Sequence, residues 1–176
     1  ISLKLDETIK DLNAMLLVKN HLTFESECID LWDLIADIKQ KANKKVPDYK
    51  INIQTDFSLV NCIYSDRYYL FEALYQLIIS LVNYNKKNAN HIIQVSSKST
   101  EKNIVISVID ELTGVSMQQS ENALFEVYSK IYKHSSNGSV KLFYAEAIIN
   151  TIGGTLSVIS NIESKVISVS YTHLTL

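Results

Sequence analysis

The sequence predicts an α/β chain of the α+β two-layer sandwich type, with one mixed sheet and its helices gathered on one face. Three observations carry that reading. Stretches with apolar residues at helical spacing alternate along the chain with short runs that are continuously apolar or alternate polar and apolar, as strands do. The run Asn103 to Ile109 is almost wholly apolar and is therefore a central strand. Finally, 47% of the 176 residues are hydrophobic, enough to bury the core of a single domain with an appended element.

Taken in order, residues 1–19 place Leu5, Ile9, Leu12 and Leu16 on one stripe with charged residues between them. This is an amphipathic helix with a coiled-coil-like seam, and a dimer-forming bundle helix is its natural reading. Cys28-Ile29 reads as a short strand, and Asp30 as the N-cap of a helix from about Leu31 to Lys44. Pro47-Asp48 breaks the chain. Tyr49 to Gln54 alternates like a half-buried strand, and Val60 to Tyr64 is a second short apolar run. Ser65 or Asp66 caps a long helix to about Tyr84, with Leu70, Ala73, Leu74, Leu77, Ile78 and Leu81 on a wide apolar face. Residues 91–97 and 103–109 are strands, and 111–140 are polar and irregular apart from a short helical stretch at Ala123 to Tyr132. A helix from about Lys141 to Ile152 stops at Gly153-Gly154. Thr155 to Ser160 and Lys165 to Tyr171 form a closing hairpin.

Composition excludes several functions. A net charge of −2, with no basic block, argues against nucleic acid as a partner. No apolar run reaches the roughly 18 residues of a bilayer-spanning helix. The start, Ile1-Ser2-Leu3-Lys4, has neither an initiator Met nor a signal-peptide core, so the chain reads as a soluble piece of something longer. Cys28 and Cys62, in apolar, strand-like surroundings, read as free thiols behaving as small hydrophobes in a reducing cytoplasm. The four glycines are Gly114, Gly138, Gly153 and Gly154, against about twelve at average usage, so a glycine-rich nucleotide loop is missing or eroded. A Walker loop, a Ser/His/Asp arrangement and metal-ligand clusters are not found.

The element order and several local patterns resemble the ATP-binding catalytic domain of two-component sensor histidine kinases, within the GHKL or Bergerat-fold ATPase superfamily. Gln76-Leu77-Ile78-Ile79-Ser80-Leu81-Val82-Asn83-Tyr84 matches the frame of the family's N box, N-L-L-x-N-A-x-K-Y. Gln76 stands for the first Asn, Ser80 for the Asn that holds Mg²⁺, and Asn83 for the phosphate-neutralising Lys. Asp110-Glu111-Leu112-Thr113-Gly114 matches the G1 box, D-x-G-x-G, keeping the adenine-reading Asp110 and Gly114 but with Leu112 for the first Gly. Leu124 to Tyr128 looks like the F box. Ser139-Val140-Lys141-Leu142-Phe143 falls on the G2 box, G-L-G-L-A, where Leu142 alone matches and Lys141 brings a positive charge to the phosphate side. Ile148 to Ser160 matches the helix, Gly-Gly stop and strand that follow, with Ile152 for the family's His.

The resemblance implies a mixed, mostly antiparallel sheet of about five strands covered on one face by three helices. It implies that residues 1–20 are the second helix of a dimerisation and phosphotransfer hairpin and that 21–176 are the ATPase-like domain. ATP and Mg²⁺ are the implied cofactors, bound by Gln76, Ser80, Asn83, Tyr84, Asp110, Gly114, Lys141 and Leu142, with Ser80 at the metal position. No catalytic residue is expected in this chain, because the phosphoacceptor His lies on the preceding helix. His21, His91, His134 and His173 lack its acidic-then-basic setting and read as surface or packing residues. The implied partners are a second copy, through the N-terminal helix, and a response-regulator receiver domain, with a membrane reached only through other parts of a longer protein. The implied function is ATP-dependent phosphotransfer to His from an eroded, weakened site. The alternatives are a non-catalytic pseudokinase relaying signals by binding and dimerisation, and, less well supported by residues 1–19, an anti-sigma-type regulator.

Overall fold

The computed structural model describes residues 24–47, 50–84, 90–101, 103–110, 138–160 and 165–172. In chain order they form β1 (Glu27–Asp30), α1 (Leu31–Lys45), β2 (Lys50–Asp56), β3 (Cys62–Ser65), α2 (Arg67–Tyr84), β4 (Asn90–Ser99), β5 (Asn103–Asp110), α3 (Gly138–Thr151), β6 (Gly154–Ser160) and β7 (Lys165–Thr172).

Local chemistry explains where the helices start and stop. Asp30 caps α1, its Oδ1 accepting from the backbone N–H groups of Trp32 at 2.8 Å and Asp33 at 3.1 Å. Asp33 in the first turn and Lys44 and Lys45 in the last suit the helix dipole. The stripe Leu31, Leu34, Ile35, Ile38 and Ala42 is buried. Asp66 caps α2, with Oδ1 accepting from Tyr69 N at 3.2 Å. From Ala73 to Val82 every residue of α2 is buried, because α1 and α3 flank it and the sheet lies beneath. Gly153, at φ +78°, takes the left-handed conformation that ends α3.

The main sheet has the order β2-β4-β5-β7-β6, with β2 parallel to β4 and every other neighbour antiparallel. Among the described residues, the five strands of this sheet and the three helices form the two layers that the resemblance implied. Inward-facing Ile51, Ile53, Ile93, Val95, Ile106 and Val108 meet Leu74, Leu77, Ile78, Ile148 and Ile149 to form the core.

Three points depart from the sequence reading. β1 and β3 do not join the main sheet but pair antiparallel as a separate two-stranded ribbon, with Ile29 and Ile63 turned into the core and Leu31 N donating to Asn61 O at 2.9 Å. Each strand has only four residues, and one side chain of each, Ile29 and Ile63, packs into the core. Cys28 and Cys62 are not free thiols: the ribbon places them within bonding reach, and they form a disulfide with Cα atoms 6.0 Å apart. Helix α3 begins at Gly138, earlier than Lys141. The dimer helix expected over residues 1–20, the F-box stretch and Gly114 lie outside the described residues.

Candidate functional site

Gln76, Ser80, Asn83 and Tyr84 recur at helical spacing along the C-terminal half of α2. Ser80 is 1% exposed, and its hydroxyl donates to the backbone carbonyl of Gln76 at 2.6 Å. That is the back-bonding habit of a serine inside a helix. Gln76 is also buried, and its Nε2 donates to Glu72 Oε1 at 2.6 Å. A carboxylate only accepts, so the amide nitrogen is the atom facing Glu72, and Oε1 is the atom left without a hydrogen-bond partner.

The other oxygen of Glu72 accepts from Lys41 Nζ at 3.0 Å, joining α2 to α1. The same ammonium lies 4.1 Å above the Tyr75 ring and 4.9 Å above Phe71, two rings that are themselves stacked. Burial pushes the Tyr75 phenol above its ordinary pKa, and the charge of Glu72 adds to the rise. Sequence reasoning missed Glu72 and Lys41. Glu72 lies one turn before Gln76 and was visible in principle, whereas Lys41 arrives from another helix and leaves no local signal.

Asp110 ends β5 on the face turned toward the helices and is 2% exposed. Along the ladder it pairs with Ile93 of β4 and Lys165 of β7. Lys141, half-buried, and Leu142 lie near the N-terminus of α3. Helix α2 packs along α3 and touches β5, so the three elements that carry the expected site residues are neighbours. Asn83 is half-buried near the end of α2.

No three His, Cys, Asp or Glu side chains converge as a metal site among the described residues. The donor chemistry that suits a hard cation is the unpaired amide oxygen of Gln76, whereas the Ser80 hydroxyl is tied to its own helix. A groove of about 870 Å³ lies at the opposite end of α2, between Glu25–Glu27 and Asp66–Phe71, remote from Asn83. None of the described helices is long and apolar enough to cross a membrane.

No protein-family model matches the chain. A curated relative, the heme sensor protein HssS of Staphylococcus aureus, is 26% identical over 136 residues, which are 77% of this chain and 29% of HssS. The chain thus spans less than a third of the length of the curated relatives it matches. Among solved structures, the Acinetobacter baumannii histidine kinase AdeS superimposes with a TM-score of 0.69 at 17% identity, covering 97% of this chain and 79% of that one. The catalytic domain of histidine kinase ThkA superimposes with a TM-score of 0.61 at 17% identity, covering 84% and 95%. ThkA in complex with the response regulator TrrA gives 0.66 at 17% identity, covering 97% and 48%. At these identities the solved structures speak to the fold, and HssS adds the likeness in sequence. The chain carries the fold seen in the catalytic domains of sensor histidine kinases and is similar in sequence to the heme sensor protein HssS.

Proposed function

We propose that the chain is the ATP-binding region of a sensor histidine kinase whose nucleotide site is weakened. The observation that carries the weakening is Ser80, whose hydroxyl is committed to the Gln76 carbonyl at the position where the family resemblance puts its metal-binding Asn. Buried Asp110 is suited to accept from an adenine amino group, and Lys141 to meet phosphate. Gln76 Oε1 is the atom best suited to hold Mg²⁺, because it is an unpaired hard oxygen donor. When bound, the metal neutralises charge on the transferring phosphates. The residues of this chain then position the nucleotide, with α2, α3 and the end of β5 forming its walls. Within this reading, residues 1–20 pair two copies, a response-regulator receiver domain takes the phosphoryl group, and the region works in the cytoplasm.

The replacements at Ser80, Asn83, Leu112 and Lys141, at about 1 kcal/mol each, together weaken binding by roughly a thousandfold. The commitment of Ser80 also favours a second reading, a non-catalytic module that relays signals by contact alone. Calorimetric titration with ATP and Mg²⁺ tests both. The expected result is binding in the millimolar range, on the order of 1 mM, and lost in Asp110→Asn. Magnesium-dependent binding at micromolar concentrations would refute the weakening. Absence of binding throughout would leave the non-catalytic module.

A further inference from the structure

The ribbon of β1 and β3 carries a cysteine pair for which nucleotide binding has no use. In its register Cys28 lies opposite Tyr64 and Asp30 opposite Cys62, so the two cysteines occupy diagonal positions on one face. That face looks outward. Cys28, Asp30 and Tyr64 are exposed and Cys62 is half-buried, whereas Ile29 and Ile63, on the other face, are buried in the core. The Cα separation of 6.0 Å suits a disulfide with the strands where they are. Making or breaking the bond therefore needs no rearrangement of the core.

Its position gives the bond a consequence. β1 is the first of the described strands, preceded by Phe24–Ser26, and β3 runs through Ser65 and Asp66 directly into α2. The link closes 34 residues of chain and joins that leading strand to the one that feeds the central helix. Without it, β1 is held by the core burial of Ile29, a ladder of four residues, the Leu31–Asn61 backbone bond and the hydrogen bond from Glu25 N to Asp66. A two-stranded ribbon of this length is marginal by itself. A covalent cross-link changes its opening more than it changes the five-stranded sheet.

We propose that Cys28 and Cys62 form a reversible thiol–disulfide switch that sets how firmly β1, and the segment leading into it, is held on the domain. The proposal rests on the ribbon alone and is independent of the nucleotide reading. Exposed disulfides are the exchangeable kind, and Cys28 is the more exposed of the two residues, which makes it the one a small reagent meets first. In the closing direction the Cys28 thiolate attacks one sulfur of a low-molecular-weight disulfide such as oxidised glutathione, forming a mixed disulfide and releasing one thiolate. The Cys62 thiolate then attacks the Cys28 sulfur, forming the protein disulfide and releasing the second. The two protein thiols give up two protons and two electrons, the reagent is reduced to two thiols, and excess reduced thiol reverses both steps.

The test is to equilibrate the whole chain across a series of reduced-to-oxidised glutathione ratios, counting protein thiols by alkylation and mass spectrometry and following amide hydrogen exchange in the same samples. We expect a single two-electron transition within one chain. We also expect exchange at Glu27–Asp30 to be slower by roughly tenfold or more in the oxidised form, with β4 and β5 unchanged. Four results overturn the proposal: a bond that stays closed in excess dithiol, oxidation that stops at the Cys28 mixed disulfide, closure that leaves β1 exchange unaltered, and the same exchange change in Cys28→Ser, which has no bond to form. The wild-type titration decides the matter even where the serine variant is poorly folded.

Discussion

Asp66 holds two parts of the chain with one carboxylate: Oδ2 accepts from the backbone N–H of Glu25 at 3.1 Å, across 41 residues, while Oδ1 accepts from Tyr69 N at 3.2 Å. The helix cap and the anchor of the leading segment are therefore the same side chain. Asp66→Ala is expected to cost about 1–3 kcal/mol, combining a lost cap with an unpaired backbone donor. Asp66→Asn, which keeps one acceptor oxygen, is expected to cost less. Urea unfolding midpoints of the two variants check this, and equal midpoints would mean that only one of the two bonds matters.

Gln76 has one amide atom engaged and one without a partner. Replacing it with Met removes the orphan acceptor while Glu72 keeps Lys41. Stability is expected to stay within about 1 kcal/mol of wild type, and any magnesium dependence of ATP binding is expected to vanish. Thermal unfolding and titration with and without Mg²⁺ read the two effects separately.

Ser80→Ala discriminates in the opposite sense. The lost back-bond is worth less than about 1 kcal/mol, and ATP affinity is expected to change by less than about twofold. A tenfold drop in affinity would show that the hydroxyl serves the nucleotide after all.

Tyr75 predicts the alkaline limb of stability. Its phenol is held above its ordinary pKa, so the folded state binds that proton more tightly than the unfolded chain does. The contribution is fully present below about pH 10, the unfolded value, and is lost as pH rises through the higher folded value. Unfolding midpoints measured from pH 8 to above pH 10 are expected to fall more steeply in wild type than in Tyr75→Phe.

Gly153 adopts φ +78°, and a Cβ placed there meets nothing within 4 Å. The cost of Gly153→Ala is therefore a backbone cost, about 1 kcal/mol, and Gly153→Asn is expected to cost less. Denaturation curves with unchanged slopes and shifted midpoints would show this.

Most of the fold was legible because each element carries its own local signature. Asp30 announced one helix start, Ser65 or Asp66 another, Gly153-Gly154 a stop, and the run from Asn103 to Ile109 the centre of the sheet. What stayed hidden was non-local. The pairing of β1 with β3 depends on two short runs meeting across the sequence, so Cys28 and Cys62 looked like separate buried thiols. Of the proposed site, the elements were legible, since Gln76 and Ser80 fall on the expected helix and Asp110 on the expected strand. The bonds these positions make were not legible, because the Ser80 hydroxyl and the Gln76 amide choose between partners that sequence spacing does not rank.

The parallel pairing of β2 with β4 leaves β2 at one edge of the described sheet. Residues 57–89, which include β3 and all of α2, separate β2 from β4 in the sequence, whereas four residues separate β6 from β7. Among the described residues, β2 has no second neighbour in the sheet. Opening of this edge strand would bare Ile51 and Ile53, which are buried in the core. Lys50 and Asp56, exposed at its two ends, place charge where a second chain would otherwise find an open edge.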